Sequence, residues 1–283
     1  VEVAELLLKH GADLHAEDKD GTTPLLLAAR CTMPRKEDWA DHWGMAQFLL
    51  MKGSKLDLFG AGALDKKGAA GTLLQFEPNR VHDRNAAGET PLHWAARSGS
   101  RTVTQVLLDH GAEINARDGR GWTPLHGAIQ PGVWRKCDPT PVAGLLIERG
   151  AEVDIFAAVM LGDLAQVDAL LMDDVGLANA LDVDGASPLC LGAWHGQKAV
   201  VERLLDRSAD VGIQDVLGRT AVSVRFEVSD YDREITELLM EQGAQPDLLS
   251  ALALGDSEAV LAGLETDSEG SYSEAMDWAI FKV

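Results

Sequence analysis

The sequence predicts an all-α fold, a solenoid of stacked helix pairs, and three observations carry that prediction. A phrase running from glycine to Pro-Leu recurs at Gly21-Thr22-Thr23-Pro24-Leu25, Gly88-Glu89-Thr90-Pro91-Leu92-His93, Gly121-Trp122-Thr123-Pro124-Leu125-His126 and Gly185-Ala186-Ser187-Pro188-Leu189, with an echo at Gly218-Arg219-Thr220-Ala221. A second phrase, a leucine pair followed by Gly-Ala or a near variant, answers it at Leu7-Leu8, Leu107-Leu108, Leu145-Leu146, Leu204-Leu205 and Leu238-Leu239. The third observation is the interval: 33 residues separate Pro91 from Pro124 and Pro188 from Ala221, with near-double steps of 67 and 64 residues from Pro24 to Pro91 and from Pro124 to Pro188. Such a period marks units that stack on their neighbours, each too small to bury an apolar face alone.

In chain order, Val1 to His10 reads as the second helix of a partial unit over residues 1–17. Repeats follow at 18–58, 59–83, 84–116, 117–154, 155–180, 181–213, 214–247 and 248–265, and 266–283 is a partial or capping repeat in which Glu274 to Ile280 resembles a first helix. The whole, 1–283, is expected to be one elongated domain.

The unit from Asp118 to Asp154 shows the local physics. Gly121 supplies the permissive backbone of a tight turn, Thr123 is suited to capping free amides, and Pro124 to the first helical position. Leu125, Ala128 and Ile129 then recur at helical spacing. A second helix carries Val142, Leu145 and Leu146 and ends at Gly150, a left-handed terminator. Small residues on the first helix let neighbouring units approach closely, and the leucines of the second fill the space between pairs.

These paired phrases resemble the ankyrin repeat, and the resemblance extends over essentially the whole chain. It implies a β-hairpin-like loop, two antiparallel helices and a return loop in each unit. A longer period overlies the short one. Units opening at Leu58-Phe59, Ile155-Phe156 and Leu248-Leu249 lack the Thr-Pro-Leu phrase and follow one another at 97 and then 93 residues, so the array reads as triplets. The last member of each triplet carries an insertion: Thr32 to Gly44, Pro131 to Pro141, and Arg225 to Arg233. With helix layers about 10 Å apart, equivalent insertions stand roughly 30 Å apart along one edge. They carry Trp39, Trp43, Trp134 and Tyr231, which form a second candidate contact surface, with lids over neighbouring helix ends as the alternative.

Composition excludes several function classes. Lys and Arg number 25 against 45 Asp and Glu, a formal charge of −20, and that sign repels phosphate backbones, so nucleic acid is not an expected partner. Between Glu227 and Val283 stand 14 acidic and 2 basic residues, which fits either a solvated outer face or a landing site for a basic protein. Cys31, Cys137 and Cys190 are far apart and odd in number, indicating neither a disulfide framework nor a zinc site and fitting a reducing, cytoplasmic compartment. No apolar run approaches the roughly 18 residues of a membrane span.

The residues that could carry chemistry read as structural. The resemblance implies that His93 and His126 bridge adjacent loops by hydrogen bonds, and Leu26, Cys190 and Ser223 replace them in other units. Asp18-Lys19-Asp20-Gly21 and Asp182-Val183-Asp184-Gly185 look like the start of a calcium loop. Aligning the glycines, however, puts Ala16 and Ala180 at the first ligand position and Leu27 and Leu191 at the last, so they read as turns. His195 lies five residues past Cys190 on a helix, well round from it, and no third orienting group is indicated. Asn115 is expected to hydrogen-bond its turn. No catalytic set, cofactor or metal is expected.

What remains is a binding surface for a protein partner of a monomeric scaffold. The resemblance places it on a concave face of hairpin tips and first helices. Carried over unit by unit, the variable positions are Lys19, Asp20, Thr22 and Arg30; Glu89, Arg97 and Ser98; Arg120, Trp122 and Gln130; Val183, Asp184, Trp194 and His195; and Val216, Leu217 and Arg219. Of these, Arg97, Arg120, Trp122, Asp184, Trp194, His195 and Arg219 have the composition of interface anchors, and the centre of the face is expected to be aromatic and locally positive. Half-burial of Trp122 against the next hairpin is the plainer alternative. A rival function is the recognition region of a larger enzyme or effector.

Overall fold

The computed structural model describes residues 2–18, 22–29, 38–130, 140–222 and 233–245. Its contacts divide the chain into two compact units, 1–153 and 154–283. Every regular element among the described residues is helical, without strands, and the repeats form the all-α solenoid architecture the phrases predict.

The first unit holds α1 (Glu2–Lys9), α2 (Pro24–Ala29), α3 (Asp38–Met51), α4 (Leu58–Ala63), α5 (Lys67–Phe76), a 3-10 helix (Pro78–His82), α6 (Pro91–Arg97), α7 (Arg101–Asp109), α8 (Pro124–Ile129) and α9 (Thr140–Glu148). In the second lie α10 (Ile155–Leu161), α11 (Leu164–Asp173), a 3-10 helix (Val175–Asn179), α12 (Pro188–Trp194), α13 (Lys198–Asp206) and α14 (Arg233–Glu241). Each short helix beginning at a Thr-Pro or Ser-Pro step packs on the longer helix that follows it.

The opening phrase works as its chemistry requires. Thr90 and Thr123 are N-caps in extended backbone, proline takes the first turn, and the histidine three residues beyond the cap closes a capping box. Ser187 caps α12 by accepting from the Cys190 amide. Where the phrase is missing, aspartate substitutes: Asp57 accepts from the Gly60 amide and Asp154 from that of Ala157. Gly121 at φ +78° and Gly150 at φ +92° take the left-handed backbone expected of them.

Leucines of both helices fill the interior, with Leu92, Leu107, Leu125 and Leu146 fully buried in the first unit and Leu189 and Leu204 in the second. Small residues set how closely first helices approach. A methyl on Gly62 of α4 would lie 3.1 Å from the Ala95 amide nitrogen of α6, so α4 and α6 meet almost backbone to backbone. Ser98 and Ser100 reinforce that contact by donating to the Gly62 carbonyl at 2.9 and 2.5 Å.

The divergent units opening at Leu58 and Ile155 share one architecture, two helices and a 3-10 turn, in place of the ordinary return loop. The ends of the expected insertions differ from the sequence reading. The stretch Asp38 to Gly44, read as part of an insertion, is the start of α3. Gly44, the last residue of that insertion, costs only about 1 kcal/mol inside a helix otherwise supported by packing. Pro141 likewise stands in the first turn of α9. Asn115 reaches further than its own turn, accepting from the Glu152 amide at 2.9 Å, and Asn179 does the same with Asp210 at 2.8 Å. The expected repeat at 248–265 and the terminal partial unit lie outside the described residues.

Candidate functional site

Successive hairpins are tied through their backbones. In the first unit the Gly119 amide donates to the Ala87 carbonyl at 2.8 Å, and in the second Val216 donates to Asp184 at 2.9 Å, an equivalent bond between equivalent tips. The first residue of each hairpin holds the turn open: Asp118 accepts from the amides of Arg120 and Trp122, Asp182 from Asp184 and Ala186, and Asp215 from Leu217 and Arg219. Of the aspartates that look like the start of a calcium loop, Asp182 does this work, and Asp18 accepts from the Thr22 amide at 2.8 Å.

His93 clamps neighbouring hairpins. Its Nδ1 accepts from the Thr90 amide at 3.1 Å, so the proton sits on Nε2, which donates to the Trp122 carbonyl at 3.0 Å. Burial pushes the His93 pKa below its ordinary value, against the opposing effect of its hydrogen bond to the Trp122 carbonyl, and keeps the ring neutral. His93 thus plays the bridging part that the resemblance implies.

Between these hairpins and helices α6 and α8 lies a cleft of about 170 Å³. Trp122 lines it but is itself only 8% exposed, with its ring centroid 4.5 Å from that of His126. The plainer alternative of burial therefore describes its indole, and little of Trp122 is offered to solvent. Arg97 pairs with Glu89 and lies over the Trp94 ring at 5.7 Å. Glu89, itself 8% exposed, also accepts from Trp94 Nε1 at 2.7 Å and Asn85 Nδ2 at 2.9 Å. Arg120 is exposed at the tip. The cleft lining carries Glu89 and Asp118 against Arg97 and Arg120, so its charges balance and the expected local positive character is corrected.

In the second unit, Arg219 reaches from its hairpin to lie over the Trp194 ring at 5.8 Å, while its Nε donates to Asp215 at 2.8 Å. Burial alone would raise the Asp215 carboxyl. The Arg219 amide, the Arg219 guanidinium and the Leu217 amide outweigh it and hold the pKa below the usual carboxylate range. Trp194 and His195 are half-buried, and burial pushes the His195 pKa down to about 4. Asp184 is half-buried at the adjoining tip. Cys190 is buried, its thiol pushed upward by burial.

The structure brings Arg97, Arg120 and Trp122 together in one unit and Trp194 and Arg219 together in the other, with Asp184 joined to the Arg219 hairpin through its backbone carbonyl. Trp39 and Trp43 lie on the backbone of α3, with side chains outside the description, and Lys19, Asp20, Arg30, Trp134 and Tyr231 fall outside the described residues. The locking carboxylates were missed as such. Asp215 and Arg219 stand four apart in sequence and Trp94 and Arg97 three apart on a helix, and such spacings were the available signal. Among the described residues no group of three His, Cys, Asp or Glu side chains could hold a metal ion, and no helix is long and apolar enough to cross a membrane.

Comparison with known proteins gives one consistent likeness. The family described as Ankyrin repeats (3 copies) matches residues 61–157, and that described as Ankyrin repeat matches 184–216. The chain is 27% identical over 234 residues to the human transient receptor potential cation channel subfamily A member 1, covering 78% of this chain and 18% of that protein. It is 32% identical over 160 residues to the ankyrin repeat and SAM domain-containing protein 6 of Danio rerio, covering 55% and 22%. Over 161 residues it is 29% identical to the human neurogenic locus notch homolog protein 1, covering 57% and 5%. The chain thus spans less than a quarter of the length of each of these relatives.

Proposed function

Since this chain is an ankyrin-repeat protein, a family whose repeats generally mediate protein–protein interaction and are typically non-catalytic, we propose that it is a scaffold binding a protein partner through its hairpin tips and first helices. The observation that carries this reading is the double use of the face. Histidine, aspartate and backbone bonds rigidify the hairpins from within, while Arg120, Val183, Val216 and Leu217 are left exposed at their tips. A preorganised surface spends little entropy on binding.

Trp194, Asp184, His195 and Arg219 form the anchoring cluster of the second unit, and Arg120 is an exposed cation at a hairpin tip of the first. Arg97 and Trp122 contribute mainly by holding the cleft in shape. A cytoplasmic location and a monomeric state accompany this reading, and the insertions bearing Trp39, Trp43, Trp134 and Tyr231 are proposed as a second surface. The experiment is affinity capture from a native lysate with the wild-type chain beside an Arg120→Glu, Trp194→Ala variant shown by circular dichroism to keep its helices. A protein recovered by wild type and lost from the variant supports the reading, and equal recovery by both contradicts the placement.

A second reading is favoured by the length comparison. The named relatives extend far beyond the matched region, so these repeats would be the recognition region of a larger enzyme or effector. Sequencing the complete transcript decides it: an appended catalytic domain supports this reading, and a frame of repeats alone overturns it.

A further inference from the structure

The two units differ at their hairpin tips. In the first, the two tip positions of each described hairpin are Ala86-Ala87 and Gly119-Arg120, small or charged. In the second they are Val183-Asp184 and Val216-Leu217, and the three aliphatic side chains are 57%, 70% and 70% exposed in that order. Turns favour Gly, Asn, Asp and Ser, and nothing in these turns asks for an aliphatic group. The turn-closing bonds run from Gly185 to the Asp182 carbonyl at 3.1 Å and from Gly218 to the Asp215 carbonyl at 2.9 Å, with the aspartate side chains holding the amides between. The aliphatic groups therefore stand in water on a frame made rigid without them.

An aromatic ring is tied to one of these hairpins. Arg219, three residues beyond Val216, reaches over the Trp194 ring at 5.8 Å and so joins that hairpin to the indole. Among the residues of these hairpins Asp215 is paired with Arg219, and Asp182 and Asp184 add two further carboxylates, half-buried, so the formal charge of the pair of hairpins is negative. The −20 charge of the chain opposes a second copy of itself or an anionic membrane as occupant.

We propose that Val183, Val216, Leu217 and Trp194 dock a partner segment with aliphatic or aromatic side chains flanked by Lys or Arg. This rests on the reading of the hairpin face as the partner surface and adds the partner's chemistry. Aliphatic contacts supply the affinity, and the carboxylates select against acidic segments of the same shape.

The test uses the whole chain and three fluorescein-labelled synthetic peptides of equal length, built from Leu and Lys, Leu and Glu, and Ser and Lys, with binding read by fluorescence polarisation. The Leu and Lys peptide is expected to bind at least about tenfold more tightly than either other peptide. A Val216→Ser, Leu217→Ser variant is expected to lose about tenfold in affinity for it. Met172→Ser, which removes a 76% exposed side chain from α11, is the control and is expected to change nothing. Equal binding of the Leu and Glu peptide, undiminished binding by the double variant, or no binding overturns the proposal. The captured partner separates this failure from that of the general reading. Loss on Arg120→Glu, Trp194→Ala but not on Val216→Ser, Leu217→Ser refutes this inference alone, and indifference to both refutes both.

Discussion

Glu89 is the group whose removal reports most clearly on how the first unit's cleft is held. Its side chain is 11% exposed and that of its partner Arg97 16%, and two further donors, from Trp94 and Asn85, converge on it. Glu89→Ala leaves a guanidinium with little water and takes the acceptor from a buried indole. Breaking one side of a buried ion pair costs about 3–5 kcal/mol, and because Arg97 lies near the rim and gains some hydration, the lower end, about 3 kcal/mol, is expected. Glu89→Gln keeps the shape and one acceptor and is expected to cost about 1.5 kcal/mol. The assay is urea unfolding followed by tryptophan fluorescence, paired with hydrogen exchange of the α6 amides, because repeat arrays can unfold unit by unit. A loss below about 1 kcal/mol for Glu89→Ala, with α6 exchange unchanged, would refute the argument. The carboxylate would then be a solvated surface charge and the cleft walls would not be locked.

Three other outcomes follow from the same bonds. His93→Ala, which deletes the clamp on Trp122 and half of a capping box, is expected to cost about 2–4 kcal/mol in urea unfolding, whereas a loss inside ±0.5 kcal/mol would show the clamp to be idle. Gly88 sits at φ +75°, and a methyl there would lie 2.8 Å from the Gly119 amide nitrogen, so Gly88→Ala is expected to destabilise by about 1–2 kcal/mol and to speed exchange at Gly119. His93 and His195 are both held neutral below their ordinary value of 6.5. The unfolded chain takes up their protons first, so their contribution is fully present above 6.5 and declines as pH falls, for His195 until about 4. His195→Leu should flatten part of that decline in thermal melts, and an unchanged slope would contradict the assignment.

Much of the fold could be read from residues alone because the repeat phrases are local instructions. Thr-Pro at a helix start, His three residues beyond the cap and Gly after the leucine pair each act within one turn of chain, and Thr90, Thr123, His93, Gly121 and Gly150 do what their types imply. The extent of α3 was not legible, because Gly44 resembles a stop and only packing carries the helix through it. The site was less legible for a different reason. Whether an arginine faces water or a carboxylate is decided by residues it meets in space, and Glu89 and Asp215 look like ordinary loop acids in sequence. Trp122 has the composition of an anchor, yet its indole is buried beside His126. Trp194, at the end of its helix, keeps more of its ring at the surface.

The central claim is that the hairpin face binds a protein. Hydrogen exchange of the full chain, alone and saturated with the partner recovered by capture, tests it most directly. The account predicts protection concentrated at 85–89, 118–122, 182–186 and 215–219 and in the first helices α6, α8 and α12. Protection confined to the second helices α5, α7 and α13, with the hairpins unchanged, would contradict it.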